Sequence, residues 1–276
     1  MTRPARRLVR RLRGVRDEPS LPPPPSVDPE TWARIEGAGV IGATGGSGTR
    51  VLARIVLRGG MFIGADRNRS EDALDFAAFS DRWVDEAVVG GRPGEMTAEL
   101  RALVARQWAG RPGDRPWGWK EPRSLYLLPL LDEELAGLRF LHLVRDGRDM
   151  AYSDNQVQLR KHGTAVLGEG DEPAPLRSIA LWSEVNLSAA DYGEGELGPR
   201  YLRIRFEDLC AEPSAVTEQV LGFFGLDGDA ELIARDEVRP PSSLGRWRDE
   251  DPAAVAELEA RGAEALRRFG YQSSSE

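Results

Sequence analysis

Four glycines in nine residues, Gly42-Ala43-Thr44-Gly45-Gly46-Ser47-Gly48-Thr49-Arg50, give this chain its clearest capacity for chemistry. Lacking Cβ, they let successive backbone N–H groups converge, and a helix beginning at Arg50 aims its positive end at the same spot. Such a loop cradles phosphate or sulfate. A kinase-type phosphate loop requires lysine after the last glycine of G-x-x-x-x-G-K-[ST]; Gly48 is followed by Thr49, so that pattern fails. A dinucleotide site requires spaced glycines after a strand, and Gly42-x-x-Gly45-x-x-Gly48, with Asp66 downstream for a ribose, meets that requirement.

The dinucleotide version is that of short-chain dehydrogenases, and it brings a catalytic Tyr-x-x-x-Lys. Here Tyr126, Tyr152, Tyr192 and Tyr201 are followed four residues later by Leu130, Gln156, Glu196 and Arg205, so that pair is missing. A second anion-binding group lies downstream. Phe140 to Val144 is an apolar run ending abruptly at Arg145-Asp146-Gly147-Arg148-Asp149, and Ser153 stands eight residues beyond Arg145. A cation at a strand tip and a hydroxyl two helical turns on can grip one phosphate.

Arg145 and Ser153, about a hundred residues after the glycine loop, resemble the second cofactor motif of the sulfotransferases that use 3'-phosphoadenosine 5'-phosphosulfate, and the chain is similar to bacterial, tyrosylprotein and carbohydrate types. Further pieces fall in family order. Gly45 to Thr49 resembles the 5'-phosphosulfate loop, with Ser47 and Thr49 offering hydroxyls. Lys120-Glu121-Pro122 resembles the Lys-x-Pro element, and Arg205-Phe206-Glu207-Asp208-Leu209 followed by Pro213 resembles the aromatic-Glu-Asp-Leu strand end. Gly245-Arg246-Trp247-Arg248 resembles the C-terminal loop that closes over the nucleotide, which adds Arg246 to the cofactor-binding set. The likeness spans about residues 38–271. It implies a P-loop NTPase-like three-layer α/β fold, a central parallel sheet flanked by helices, and no metal. It also implies release of adenosine 3',5'-bisphosphate and a small-molecule, glycan or lipid acceptor. The alternatives left open are an NAD(P)-binding oxidoreductase and a nucleotide-binding module without catalysis.

One departure from the family stands out. Where many members carry lysine or arginine before Ser-Gly-Thr, this chain has Gly46, and Arg50 is the expected replacement cation. Lys120 is the main catalytic candidate: it has the family position and is one of only two lysines in a chain that otherwise uses arginine. For a base, the resemblance favours Asp66, after the strand that follows the phosphate loop; His162 and Glu121 are the other candidates. His142, in an apolar strand, reads as a core residue, as do Trp117, Trp119 and Trp182, which otherwise could line an acceptor pocket.

These residues must be positioned by a soluble body of 276 residues with 41% hydrophobic and 30% charged content, read as one domain. One cysteine and two histidines argue against a disulfide or a zinc site. The first sixteen residues hold seven arginines and no acid, so an overall net charge of −8 leaves about −15 on the rest. An acidic body argues against nucleic-acid binding. The arm at residues 1–26, ending in Pro22 to Pro25, reads as a solvated tail able to touch anionic lipid, with the sulfotransferase domain at 27–276. No secretory signal is visible, so the expected location is cytoplasmic.

Within the body, Asp28-Pro29-Glu30 opens a short capped helix, Gly39 to Gly42 is a strand, and Arg50 to Arg58 a helix. Met61 to Gly64 reads as a second buried strand, followed by helices near residues 70–87 and 95–109. Trp117 to Pro122 is extended, a leucine-rich helix runs to about Leu135, and Leu138 to Val144 is the clearest strand. One helix is expected from the Arg145 motif through Arg160, then a lid-like loop over Lys161–Pro175 and a helix over Leu176–Tyr192. Arg200 to Phe206 alternates as an edge-side strand, and the remainder is helical apart from Arg239 to Arg248. Alternating strands and helices imply a parallel sheet.

Overall fold

The computed structural model describes residues 27–272; the arginine-rich arm and its lipid contact lie outside them. The chain begins with α1 (Pro29–Trp32), whose first N–H groups are capped by Asp28, then β1 (Gly39–Ala43) and α2 (Thr49–Arg58). It continues through α3 (Leu74–Val88), α4 (Gly94–Ala109), β2 (Gly118–Lys120), α5 (Leu128–Glu134) and β3 (Arg139–Val144). Next come α6 (Gly147–Ala151), α7 (Val157–Leu167), α8 (Ala174–Tyr192) and β4 (Tyr201–Arg205). The rest is α9 (Phe206–Ala211), α10 (Pro213–Phe224), α11 (Ala230–Glu237) and α12 (Pro252–Arg268). None of the described helices is long and apolar enough to cross a membrane.

The strands form one sheet in the order β2-β1-β3-β4, every pairing parallel. Parallel sheets are covered on both faces, which explains why β1 and β3 read as continuous apolar runs. Val40 and Phe140 enter the core beneath α3, α4, α5 and α8, while Ile41, Ala43, Leu141 and Leu143 enter the core beneath α2, α9, α10 and α11. Val40, Ile41, Phe140, Leu141 and Leu143 are wholly buried; each such side chain contributes roughly 1.5–3 kcal/mol by leaving water. The result is the three-layer arrangement expected from the sequence.

Three expectations need correction. Met61 to Gly64 is no full strand: it meets the sheet through a single parallel bridge, Phe62 to Trp117. Gly60 and Gly64, at φ 88° and 94°, turn the chain at either side of it. That segment lies outside β2, so β2 separates it from β1, whereas the doubly wound dinucleotide fold puts the strand after the first helix directly beside β1.

Second, the helix expected through Arg160 breaks after Ala151, because the Gln156 side-chain amide donates to the carbonyls of Met150 at 3.0 Å and Ser153 at 2.8 Å. Third, the lid-like loop is mostly helix: α7 runs to Leu167, leaving a short connection before α8. Its inward face is disguised by polar residues, since Gln158 and His162 are buried and Gly163 lies under Leu159.

Candidate active site

Parallel α/β sheets collect their functional loops beyond the carboxyl ends of the strands, and β1 and β3 lie side by side here. After β1, the glycine loop bends through Gly46 at φ 90° and Gly48 at φ 96°, and Gly48 caps α2. A β-carbon on Gly48 would come within 2.4 Å of the Phe206 ring, so both backbone angle and space require glycine there. Ser47 is turned inward: its hydroxyl donates to the Thr44 carbonyl at 2.6 Å. Thr49 is buried in the first turn of α2, and Gly46 is exposed.

After β3, Arg145 is 5% exposed. Its Nη2 donates to Asp149 Oδ2 at 2.9 Å and to the Ser243 carbonyl at 2.6 Å, its guanidinium lies 5.3 Å from the Phe206 ring centre, and its buried Nε has no partner. Arg246 reaches the same place, donating to the carbonyls of Ser243 at 3.3 Å and Tyr152 at 3.2 Å. Ser153 follows Tyr152. A β-carbon built on Gly46 would lie 3.7 Å from Ser153 Oγ, which puts the glycine loop and the Arg145 motif in one cleft.

Several residues that hold this cleft carry little sequence signal. Asp149 accepts from the backbone of Gly245 at 2.8 Å as well as from Arg145, which pins the C-terminal loop to the motif. Glu207 accepts from the Asp146 backbone at 2.9 Å and from the Tyr271 hydroxyl at 2.9 Å. Burial holds its carboxyl above the usual carboxylate range, opposed by the Asp146 hydrogen bond. Phe206 and Glu207 thus give the aromatic-Glu-Asp-Leu element a mechanical role: the ring rests on the glycine loop and the carboxylate on the Arg145 motif. Arg148 grips Asp146, Glu259 and the Gln272 carbonyl while lying 3.8 Å above the Trp247 ring, so its charge is spent on structure. Trp182 donates to the Arg145 carbonyl at 3.0 Å.

The remaining candidates are dispersed. Lys120 is 1% exposed at the end of β2, where its ammonium donates to the Ser70 carbonyl at 2.5 Å and pairs with Asp72. Burial lowers its pKa, opposed by Asp72. Asp66 is exposed in the same loop and accepts from Leu74 through its backbone carbonyl. Arg50 is exposed and has no side-chain partner among the described residues; it shares a helical stripe with Arg54 and Arg58, which pair with α11.

Glu121 turns away from Lys120, pairing with Arg123 at 2.9 Å and accepting from Ser80 at 2.9 Å; burial raises its pKa, opposed by Arg123. His162 is shut in on α7, with Nδ1 2.7 Å from Asp85 and Nε2 buried without a partner; burial lowers its pKa, opposed by Asp85. His142 is a core residue between the Tyr201 hydroxyl at 2.6 Å and Asn186 at 2.8 Å, and burial pushes its pKa down to about 4. Trp117 and Trp119 are buried in the core, with Trp119 stacked 4.1 Å from Phe76.

The donor set fits a nucleotide with phosphates at both ends: main-chain N–H groups at one side, and an arginine with an unpartnered buried nitrogen, a hydroxyl and a second arginine at the other. The sequence is also similar to known proteins. Carbohydrate sulfotransferase 4 of Mus musculus is 34% identical over 122 residues, covering 39% of this chain and 31% of that protein. Carbohydrate sulfotransferase 6 of Homo sapiens is 33% identical over 120 residues, covering 39% and 30%. The matched stretch therefore spans about a third of these relatives.

Among solved structures, sulfotransferase STF9 from Mycobacterium avium superposes with a TM-score of 0.60 at 14% identity, covering 88% of this chain and 80% of that one. The sulfotransferase domain from the curacin biosynthetic pathway gives 0.54 at 16% identity, covering 87% and 99%. Both share the fold. The sequence profile of the sulfotransferase family matches residues 46–230, more than half the length, from the glycine loop through the Arg145 motif and beyond β4, and the chain belongs to that family.

Proposed function

We propose that this sulfotransferase moves the sulfuryl group of 3'-phosphoadenosine 5'-phosphosulfate to a hydroxyl or amine of a small-molecule, carbohydrate or lipid acceptor, releasing adenosine 3',5'-bisphosphate. The observation that carries the reading is the shared cleft: Gly46 of the glycine loop abuts Ser153, while Phe206 spans from Gly48 to Arg145. A single adenosine can then be held by both its phosphate groups.

In this reading the amides of Gly45, Gly46, Gly48 and Thr49, with the first turn of α2, receive the charge that grows on the departing 5'-phosphate oxygen. Arg145, Ser153 and Arg246 hold the 3'-phosphate. The sulfur–oxygen bond to the 5'-phosphate breaks as one to the acceptor forms in line, and Asp66, which is exposed, takes the acceptor proton. For Lys120 to act directly its ammonium must exchange Asp72 for the leaving oxygen; in its present place it anchors the loop that carries Asp66. Arg50, unpaired among the described residues at the start of α2, is available to the 5' end.

Thermal unfolding with adenosine 3',5'-bisphosphate, NADP and ATP tests the reading. Stabilisation by the bisphosphate alone is expected, and stabilisation by NADP or ATP alone would overturn it. A bisphosphate shift with no sulfated product from any acceptor would leave a binding module in place of an enzyme.

A further inference from the structure

Gly46 leaves a gap in the cation set, and the turn between α6 and α7 fills the space beside it. A β-carbon on Gly46 would sit 3.7 Å from Asn155 Nδ2 and 3.3 Å from Met150 Cε. With Gly46 at φ 90°, a long side chain there meets both backbone strain and a crowded neighbour. The turn is tightly built. Gln156 holds the carbonyls of Met150 and Ser153, Ser153 Oγ accepts from the Asn155 backbone at 3.2 Å, and Asn155 Oδ1 accepts from the Val157 backbone at 3.4 Å.

That last bond orients the amide with Oδ1 toward α7 and Nδ2 toward the loop. Asn155 is exposed, and Nδ2 has no acceptor among the described residues. We infer that Asn155 Nδ2 is a binding donor for the 5' end of the nucleotide, standing in for the cation that residue 46 does not supply. The inference rests on the proposed function, and it adds a residue that the family pattern does not point to. A neutral amide in place of an ammonium gives direction without net charge, so the hydrogen bond, not long-range attraction, sets its contribution.

The test measures binding of two probes by calorimetry: adenosine 3',5'-bisphosphate, and adenosine 3'-phosphate, which lacks the 5' group. Asn155→Ala should lower bisphosphate affinity about tenfold or more, the usual worth of a hydrogen bond to a charged group, and leave adenosine 3'-phosphate unchanged. Asn155→Asp should lose more, because it sets a negative charge against the phosphate. Asn155→Lys should retain or exceed the parent affinity.

Equal bisphosphate affinity across the three variants would overturn the inference, as would equal losses for both probes. Ligand-free melting should match the parent in Asn155→Asp, which keeps an acceptor for the Val157 backbone, and fall only slightly in Asn155→Ala and Asn155→Lys, since the position is exposed. Should the parent protein itself bind neither probe, the failure belongs to the proposed function; parent binding with indifferent variants condemns Asn155 alone.

Discussion

Gly48→Ala should injure both anion-binding groups through one ring. A non-glycine residue in left-handed backbone costs roughly 1–2 kcal/mol, and Gly48 sits at φ 96°. The new methyl would also lie 2.4 Å and 2.7 Å from two Phe206 ring carbons; overpacking of this kind costs roughly 1–3 kcal/mol. Together they predict a loss of roughly 2–5 kcal/mol, or roughly 4–20 °C in Tm at the 2–4 °C per kcal/mol of a domain this size. Phe206 is 3% exposed and lies beneath Arg145, so bisphosphate affinity should fall along with stability. Phe206→Leu alone should cost about 1 kcal/mol as a near-conservative core change.

In the double variant the collision is gone, so it should be more stable than the sum of the single losses by about 1–3 kcal/mol, read from urea unfolding of all four proteins. Additivity within about 0.5 kcal/mol would show that the ring is not what excludes a side chain at position 48.

Arg145→Lys keeps the charge but loses the planar fork, so bisphosphate affinity should fall about tenfold or more by calorimetry. Lys120→Met strips Asp72 and the Ser70 carbonyl of their cation; it should cost roughly 3 kcal/mol and speed hydrogen exchange across residues 66–73, and unchanged protection there would deny Lys120 its anchoring role. His142 stays neutral down to about pH 4 in the folded chain. The unfolded chain takes up that proton below about 6.5, so stability should decline as pH falls through this window, by roughly 3 kcal/mol at its lower end. Urea unfolding of His142→Gln should show a flatter acid limb.

The parts that could be read in advance share one property: their signal is local. The apolar runs of β1 and β3 and the glycines at 46 and 48 each declare themselves within a few residues. The parts that could not be read depend on partners distant in sequence. His162 looks like a loop residue until Asp85 is seen to pair with it, and nothing near Gln158 announces its bond with Tyr126. Lys120 looks free to react until Asp72 and Ser70 are found beside it, and Glu121 looks like a candidate base until Arg123 and Ser80 claim it. The break after Ala151 depends on one amide folding back on the carbonyls of its own turn, which apolar periodicity does not register. Asp149 came closest to being legible, four residues after Arg145 and in the first turn of α6.

In the proposed reading Arg145 meets its ligand with its charge already paired to Asp149 and its Nη2 also donating to Ser243, leaving its Nε to donate. An incoming anion would therefore gain little attraction from Arg145, and in a chain whose formal charge is −8 it would be drawn chiefly by Arg50 and Arg246, which have no carboxylate partner among the described residues. In the proposed reading capture relies mainly on short-range donors once the molecule has arrived, so association should proceed with little electrostatic steering, nearer the 10⁵–10⁶ M⁻¹s⁻¹ typical of unsteered encounters. Added salt screens exposed charges beyond about 10 Å at 0.1 M, so the association rate should change little with salt, while the affinity should fall to the extent that the exposed Arg50 and half-buried Arg246 contribute to it.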